Sequence, residues 1–303
     1  MEGFRLRNIL LSAPGGPPLV SAVYRNLVIF ISRSRADGCT GLAAMLAYNF
    51  FLALPLVVIF AISLLTLLPV EDLGGRLVAQ LEGVVPEGVL ELLREVLDNA
   101  LARPRNSILL ASFVAIVYVS NNAYAGLVSA LNRIYGLTER RSWLQVRLRA
   151  LLLSILAGSL ILAAFALVLV VPPTLEALAA GTSQEGLIRL VGRLRWPLVA
   201  ALLLIASEAT FRYAPCGAPR WRWLSPGTLF AALAWLISTL IFDFYVDNFG
   251  SYDRLYGTLG TVILLLTWLW ISSLVFLLGG EINRLVDESA SRWQPRQSRT
   301  VGG

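Results

Sequence analysis

The chain has 303 residues, 57% hydrophobic and only 15% charged, against about a quarter charged in an ordinary soluble domain. Its net charge is +6, every basic residue is Arg, and there is no His, which excludes a Ser-His-Asp triad, a His-ligated zinc and an imidazole proton shuttle. Two cysteines, Cys39 and Cys216, are too few for a Cys-only metal site, so neither a metal nor a cofactor is expected.

In chain order, residues 1–17 read as a flexible cytoplasmic leader. Arg5 and Arg7 precede only a short apolar stretch before Pro14-Gly15-Gly16-Pro17-Pro18, whereas a secretory signal needs roughly 7–15 apolar residues. From Pro18 to Arg35 the apolar residues Val20, Val23, Tyr24, Leu27, Val28 and Ile31 form a helical stripe flanked by Arg25, Arg33 and Arg35. That pattern predicts an amphipathic helix lying on the inner leaflet, so residues 1–36 form a leader and interfacial helix.

A membrane-crossing helix needs about 20 predominantly apolar residues. No charge occurs between Asp37 and Glu71, which predicts a first span near Gly41–Leu68. It carries Asn49 and then Pro55, whose missing N–H frees a carbonyl and favours a kink beside a polar lining. The segment 71–105 has two leucine stripes split by Val85-Pro86-Glu87-Gly88 and reads as an external acidic helical hairpin. A second span lies between Arg105 and Arg133, with Asn121 and Asn122 in its middle, and a third between Arg149 and Glu176. The fourth, Trp196–Tyr213, contains Glu208 and Arg212 at i,i+4, the favourable order for a helical ion pair.

A fifth window, Trp223–Phe242, leads to Asp243, Asp247 and Tyr252, candidates for an outer mouth. The sixth, Tyr256–Gly280, is followed by Glu281 and Asn283, and Glu281 is expected to pair with an inner-loop Arg. Residues 288–303 read as a flexible cytoplasmic tail. The expected fold is therefore all-α: a six-helix membrane domain over 37–287, with an interfacial helix before it and the hairpin 71–105 outside.

The arginines orient this bundle. Arg5, Arg7, Arg25, Arg33 and Arg35 precede span one; Arg133, Arg140, Arg141, Arg147 and Arg149 lie between spans two and three, opposed only by Glu139. Arg212, Arg220 and Arg222 follow span four, and the C-terminal tail is also basic, while the hairpin holds seven acids against four arginines. By the positive-inside rule both termini are cytoplasmic. The basic excess is thereby explained without nucleic acid, and both cysteines fall where disulfides are rare, predicting free thiols.

Polar groups at membrane depth are default functional candidates. Asn49, Pro55, Asn121, Asn122, Glu208 and Arg212 are expected to line one cavity, with lipids as partners and a small molecule or lipid as substrate. The competing reading is an envelope scaffold whose polar groups only join helices. An enzyme is not expected, because no nucleophile–base pair occurs at helical spacing.

An ordered set of motifs adds to this. Ala43-Ala44-Met45-Leu46-Ala47-Tyr48 with Pro55, Ala130-Leu131-Asn132-Arg133-Ile134-Tyr135, and Phe211-Arg212-Tyr213-Ala214-Pro215 are followed by Tyr245-Val246-Asp247-Asn248-Phe249-Gly250-Ser251-Tyr252 and Leu278-Gly279-Gly280-Glu281-Ile282-Asn283. The series, from about Ser32 to Asp287, resembles the YihY/BrkB family of bacterial membrane proteins. The resemblance implies a six-helix inner-membrane protein concerned with envelope integrity, serum resistance or transport. Members have carried the label ribonuclease BN, but a metal-dependent nuclease needs His and Asp ligands, and this chain has no His. Glu208 and Asp243 depart from the family's pattern.

Overall fold

The computed structural model describes residues 18–65, 105–171, 185–217, 224–249 and 258–292. Among them are seven α-helices and no strand: α1 (Pro18–Ala36), α2 (Cys39–Leu65), α3 (Arg105–Ile134), α4 (Trp143–Phe165, continued by a π-turn over Ala166–Val170), α5 (Glu185–Tyr213), α6 (Pro226–Phe249) and α7 (Thr258–Arg292). Six of these, α2 to α7, are long and apolar enough to cross a membrane, and α1 covers the stretch expected to lie on the inner leaflet. The hairpin expected over 71–105 lies outside the described residues, except that Arg105 opens α3.

Helix ends follow local chemistry. Ser142 caps α4 reciprocally: Gln145 N–H donates to Ser142 Oγ at 3.4 Å and Ser142 N–H to Gln145 Oε1 at 3.0 Å. At the end of α3, Gly136 takes φ +64°, so that Leu137 N–H reaches back to the Asn132 carbonyl at 2.8 Å. Two boundaries differ from the sequence expectation. Helix α5 begins at Glu185 and not Trp196, because Arg193 and Arg195 end the charge-free window without ending the helix. Helix α7 runs to Arg292, past the boundary at 287, its last turns held by Glu288, which pairs with Arg33 at 2.9 Å and Arg284 at 3.0 Å.

The six spans form a ring in chain order. Each packs against the next, and α7 closes the ring on α2; α7 also touches α3 and α1, while α5 and α6 share the thinnest seam. Burial is uneven along the helices. The apolar core is Cys39, Ala43, Leu46, Leu127, Val128, Ala130, Leu131, Ile134, Leu153, Phe211, Ala214 and Leu277. These residues come from the start of α2, the end of α3, the first half of α4, the end of α5 and the later part of α7. All lie toward one end of the bundle, the end that carries most of the arginines of the described residues. Elsewhere large apolar side chains such as Tyr118, Leu152, Leu233, Leu240 and Phe244 face outward, as lipid-facing residues do. Cys39 and Cys216 are free thiols at the arginine-rich end, as expected.

Candidate functional site

Three polar latches tie the helices together at the arginine-rich end. The first is built on Asn132, only 5% exposed. Its Nδ2 donates to Glu139 Oε2 at 2.7 Å, and its Oδ1 accepts from Cys216 N–H at 2.7 Å. Arg141 grips the same carboxylate through Nε at 2.7 Å and Nη2 at 2.6 Å, and donates to the Ala214 carbonyl at 3.2 Å. The end of α3, the following loop and the end of α5 thus share one network.

Hydrogen bonds from Arg141 lower the Glu139 carboxyl from its usual 4.5 to about 2, and the same bonds raise the Arg141 guanidinium. A depressed acid stabilises the fold above its ordinary value and loses that contribution as the pH falls through its folded value. In purified protein, wild type should lose thermal stability relative to Glu139→Gln as the pH falls from about 4.5 toward 2, and the two should run parallel above that window. Parallel curves throughout would remove Glu139 from the stability balance.

The second latch joins α5, α6 and α7. Glu208 Oε2 accepts from Ser225 N–H at 3.0 Å and from Thr228 Oγ1 at 2.6 Å, so this carboxyl caps the N-terminus of α6. Asn283, buried on α7, accepts from Gly227 N–H at 2.8 Å and donates through Nδ2 to Ser225 Oγ at 3.0 Å. Tyr135 hydrogen-bonds to Asn283, and burial raises its phenol, with Asp287 adding to the effect. The backbones of α6 and α7 touch here: a Cβ at Gly227 would stand 2.0 Å from the Gly279 carbonyl oxygen.

The third latch surrounds Glu281, which is 0% exposed. Arg284 donates to Asp37 Oδ2 at 3.2 Å, to Glu288 Oε1 at 3.0 Å and to the Ile134 carbonyl, placing a cation on the C-terminus of α3. Among the described residues no arginine pairs with Glu281, while Arg220 and Arg222 of the inner loop lie outside them. Arg33 is taken by Glu288, and Arg284 by Asp37 and Glu288. The Cys39 thiol lies 3.9 Å from Glu281 Oε1.

The residues expected to line one cavity are distributed otherwise. Asn49 donates to the Met45 carbonyl of its own helix at 2.9 Å, because an amide in a helix finds the i−4 oxygen first. It still lies against α3, where Gly126 faces Met45, Leu46 and Asn49. Asn122 accepts from Arg147 Nη1 at 2.6 Å, with the guanidinium 5.6 Å from the Trp143 ring centroid. The buried Oδ1 of Asn121 meets no donor. Pro55 sits on the exposed flank of α2, and the helix continues through it. Glu208 turns across to α6, while Arg212 is half-buried one turn further along α5. Asn49 thus bonds within α2, Asn122 to α4, and Glu208 to the start of α6.

At the opposite end, Asp243 is exposed on α6, Asp247 lies one turn on in the same helix, and Tyr252 falls outside the described residues. Sequence reasoning missed Asp37, Asn132, Arg141, Ser225 and Thr228. One signal was available: Glu139 is the lone acid among the arginines of its loop. Among the described residues no group of three or more His, Cys, Asp or Glu is arranged to hold a metal.

Comparison with known proteins places these features in context. The profile of a family described as virulence factor BrkB matches residues 30–300. A protein of Bacillus subtilis named as ribonuclease-like, YfkH, is 30% identical over 246 residues, 80% of this chain and 88% of its own length. A UPF0761 membrane protein of Pseudoalteromonas atlantica is 23% identical over 272 residues, 86% of this chain and 85% of that protein. A UPF0761 membrane protein of Xanthomonas campestris is 37% identical over 93 residues, 31% of this chain but only 21% of that protein. No solved structure matches.

Proposed function

This chain belongs to the virulence factor BrkB family, as a multi-pass protein of the bacterial inner membrane, and on that premise we propose that it moves a lipid or small molecule across the membrane. Its arginine-rich end faces the cytoplasm in this reading. The observation that carries the proposal is the one-sided packing. Among the described residues the apolar core and the polar latches concentrate at the arginine-rich end. A bundle closed by packing and polar latches at one end is what alternating access requires of one of its states. A scaffold has no need of that asymmetry.

Polar side chains at mid-membrane depth support the same reading. Asn121 keeps a buried amide oxygen without a donor, which costs about 1–3 kcal/mol. Such a cost fits a surface that meets a polar group of a passing molecule. The reading is non-enzymatic: the ribonuclease-like name of the Bacillus relative meets a chain without His.

The test is lipid movement. Purified protein is reconstituted with fluorescent phospholipids, and chemical reduction of the outer leaflet is followed with and without a pH gradient. Reduction beyond half of the label, well above protein-free vesicles, is the expected result. A folded protein whose traces match protein-free vesicles rules out phospholipid as the substrate and favours the envelope-scaffold reading.

A further inference from the structure

Arg147 lies one turn inside α4, a membrane-crossing helix, and no acid among the described residues pairs with it. Two other contacts fix its place. Nη1 donates to Asn122 Oδ1 on α3 at 2.6 Å, and the guanidinium stands 5.6 Å from the ring centroid of Trp143. A guanidinium carries five N–H donors, and the bond to Asn122 uses one of them. The nearest acid in sequence, Glu139, is already held by Arg141 through Nε and Nη2 and by Asn132. Arg140, exposed in the preceding loop, and Arg149, exposed two residues on, add to the positive charge. A half-buried cation beside lipid is costly until an anion meets it.

The surface around this cation is apolar and open to the bilayer. Trp143, 73% exposed, opens α4, and exposed tryptophans gather at the membrane–water interface. Arg147 lies about 6 Å deeper by helical rise, and its long side chain can reach back toward that interface. Helices α3 and α4 are consecutive spans that pack on one another, so they share a seam running away from Asn122 and Arg147. On α3, Tyr118, Val114 and Leu110 follow Asn122 at four-residue intervals, one stripe of the helix, and all three are exposed. On α4, Leu148, Leu152 and Ile155 recur at helical spacing and are exposed too. A cationic head above two apolar lanes has the outline of one phospholipid.

We infer that Arg147, with Arg140 and Trp143, forms a binding site for the headgroup of an anionic phospholipid in the leaflet at the arginine-rich end, its chains lying along the α3–α4 seam. The phosphate takes the unused N–H groups of Arg147 in charge-assisted, forked hydrogen bonds. Trp143 supports the guanidinium through its ring, and Asn122 sets its orientation. A zwitterionic lipid offers the same phosphate but brings an ammonium group to a surface already cationic, so a net negative headgroup is preferred. The exposed stripes put the site on the outer wall of the ring. It rests on the membrane placement of the chain and is independent of the transport proposal.

The experiment is electron spin resonance of spin-labelled phosphatidylglycerol and phosphatidylcholine in membranes holding the full chain, which reads how much of each lipid the protein immobilises. Wild type should prefer phosphatidylglycerol. Arg147→Gln should lower that preference about fivefold, and Arg147→Lys, which keeps the charge without the fork, should restore part of it. Arg35→Gln removes the same charge from the exposed end of α1, away from the seam, and should leave the preference nearly unchanged. Should Arg147→Gln not fold, Arg140→Gln, exposed in the loop, decides by a loss of the same kind. Equal immobilisation of the two lipids by wild type, or an unchanged preference in the deciding variant, would overturn the site. An equal loss in Arg35→Gln would replace it with a diffuse surface charge. Soluble glycerol phosphate should compete poorly; competition as strong as that of the lipid would overturn a site that the chains help to fill. Lipid movement in vesicles can fail without altering any of these readings.

Discussion

Replacing Gly227 by Ala should prevent the protein from accumulating in a folded state. The new Cβ would stand 2.0 Å from the Gly279 carbonyl oxygen and 2.6 Å from Asn283 Oδ1, the first of which is backbone and cannot swing aside. Helices α6 and α7 must then separate, and the bonds from Gly227 N–H to Asn283 at 2.8 Å and from Asn283 to Ser225 at 3.0 Å go with them. Overpacking costs about 1–3 kcal/mol and each lost hydrogen bond about 0.5–1.5 kcal/mol. Together these approach the lower end of a typical net stability, about 5 kcal/mol. Gly279→Ala should behave similarly, since its Cβ would lie 2.6 Å from the Gly227 oxygen. Gly158→Ala is the control: nothing lies within 4 Å of a Cβ there, and relief of helical glycine is worth about 0.5–1 kcal/mol. Size-exclusion profiles and thermal melts of the three variants give the answer. A well-folded Gly227→Ala protein would mean that the two helices do not approach this closely.

The second large effect is expected at Glu208. Removal of the side chain in Glu208→Ala strips the N-terminus of α6 of its acceptor for Ser225 N–H and Thr228 Oγ1. Hydrogen bonds to a carboxylate contribute about 1.5–3 kcal/mol, and a negative charge at a helix N-terminus about 0.3–1 kcal/mol more. A loss of about 2–4 kcal/mol follows for Ala. Glu208→Gln keeps an acceptor oxygen and forfeits the charge, for about 1 kcal/mol. The same variant separates structure from transport. If Glu208 is a latch, Glu208→Gln in vesicles should move lipid at a rate within about twofold of wild type. Abolished movement in a folded Gln variant would place the carboxyl itself on the path.

Glu208 also shows what a sequence conceals. The acid stands out as a charge inside an apolar window, and that much was legible. Its partner was not, because helical spacing offers only residues on the same helix, such as Arg212, whereas Ser225 and Thr228 lie across a loop on the next. Arg33 and Arg284 make the same point, since their acids, Glu288 and Asp37, include one from a distant helix and one from a distant turn. Asn49 was legible as a polar group at depth, yet nothing in the sequence distinguishes an amide facing a cavity from one bonded to Met45 in its own helix. The spans themselves were readable because lipid imposes a length and makes charge costly, a constraint that every window but the fourth obeys throughout. The start of α5 was not, since arginines near a helix end can snorkel and leave the helix intact. Asn132 and Glu139 were hidden for another reason. Their importance lies in whom they meet, Cys216 and Arg141, and loops carry no periodicity to announce it.

The closure of the ring by α7 has a consequence for how the protein is made. Asn283 completes the latch at α6, while Arg284 and Glu288 tie down Asp37, the end of α3 and Arg33 of α1. A ribosome delivers these residues after all the helices they hold. Until they arrive, the earlier helices sit in the bilayer with the C-terminus of α3 lacking its cation and α2 lacking the neighbour that seals it. Such contacts, far apart in the chain, form late and leave an unfinished intermediate exposed. Chains cut short before α7 should therefore insert but not assemble, and would be natural prey for a membrane protease.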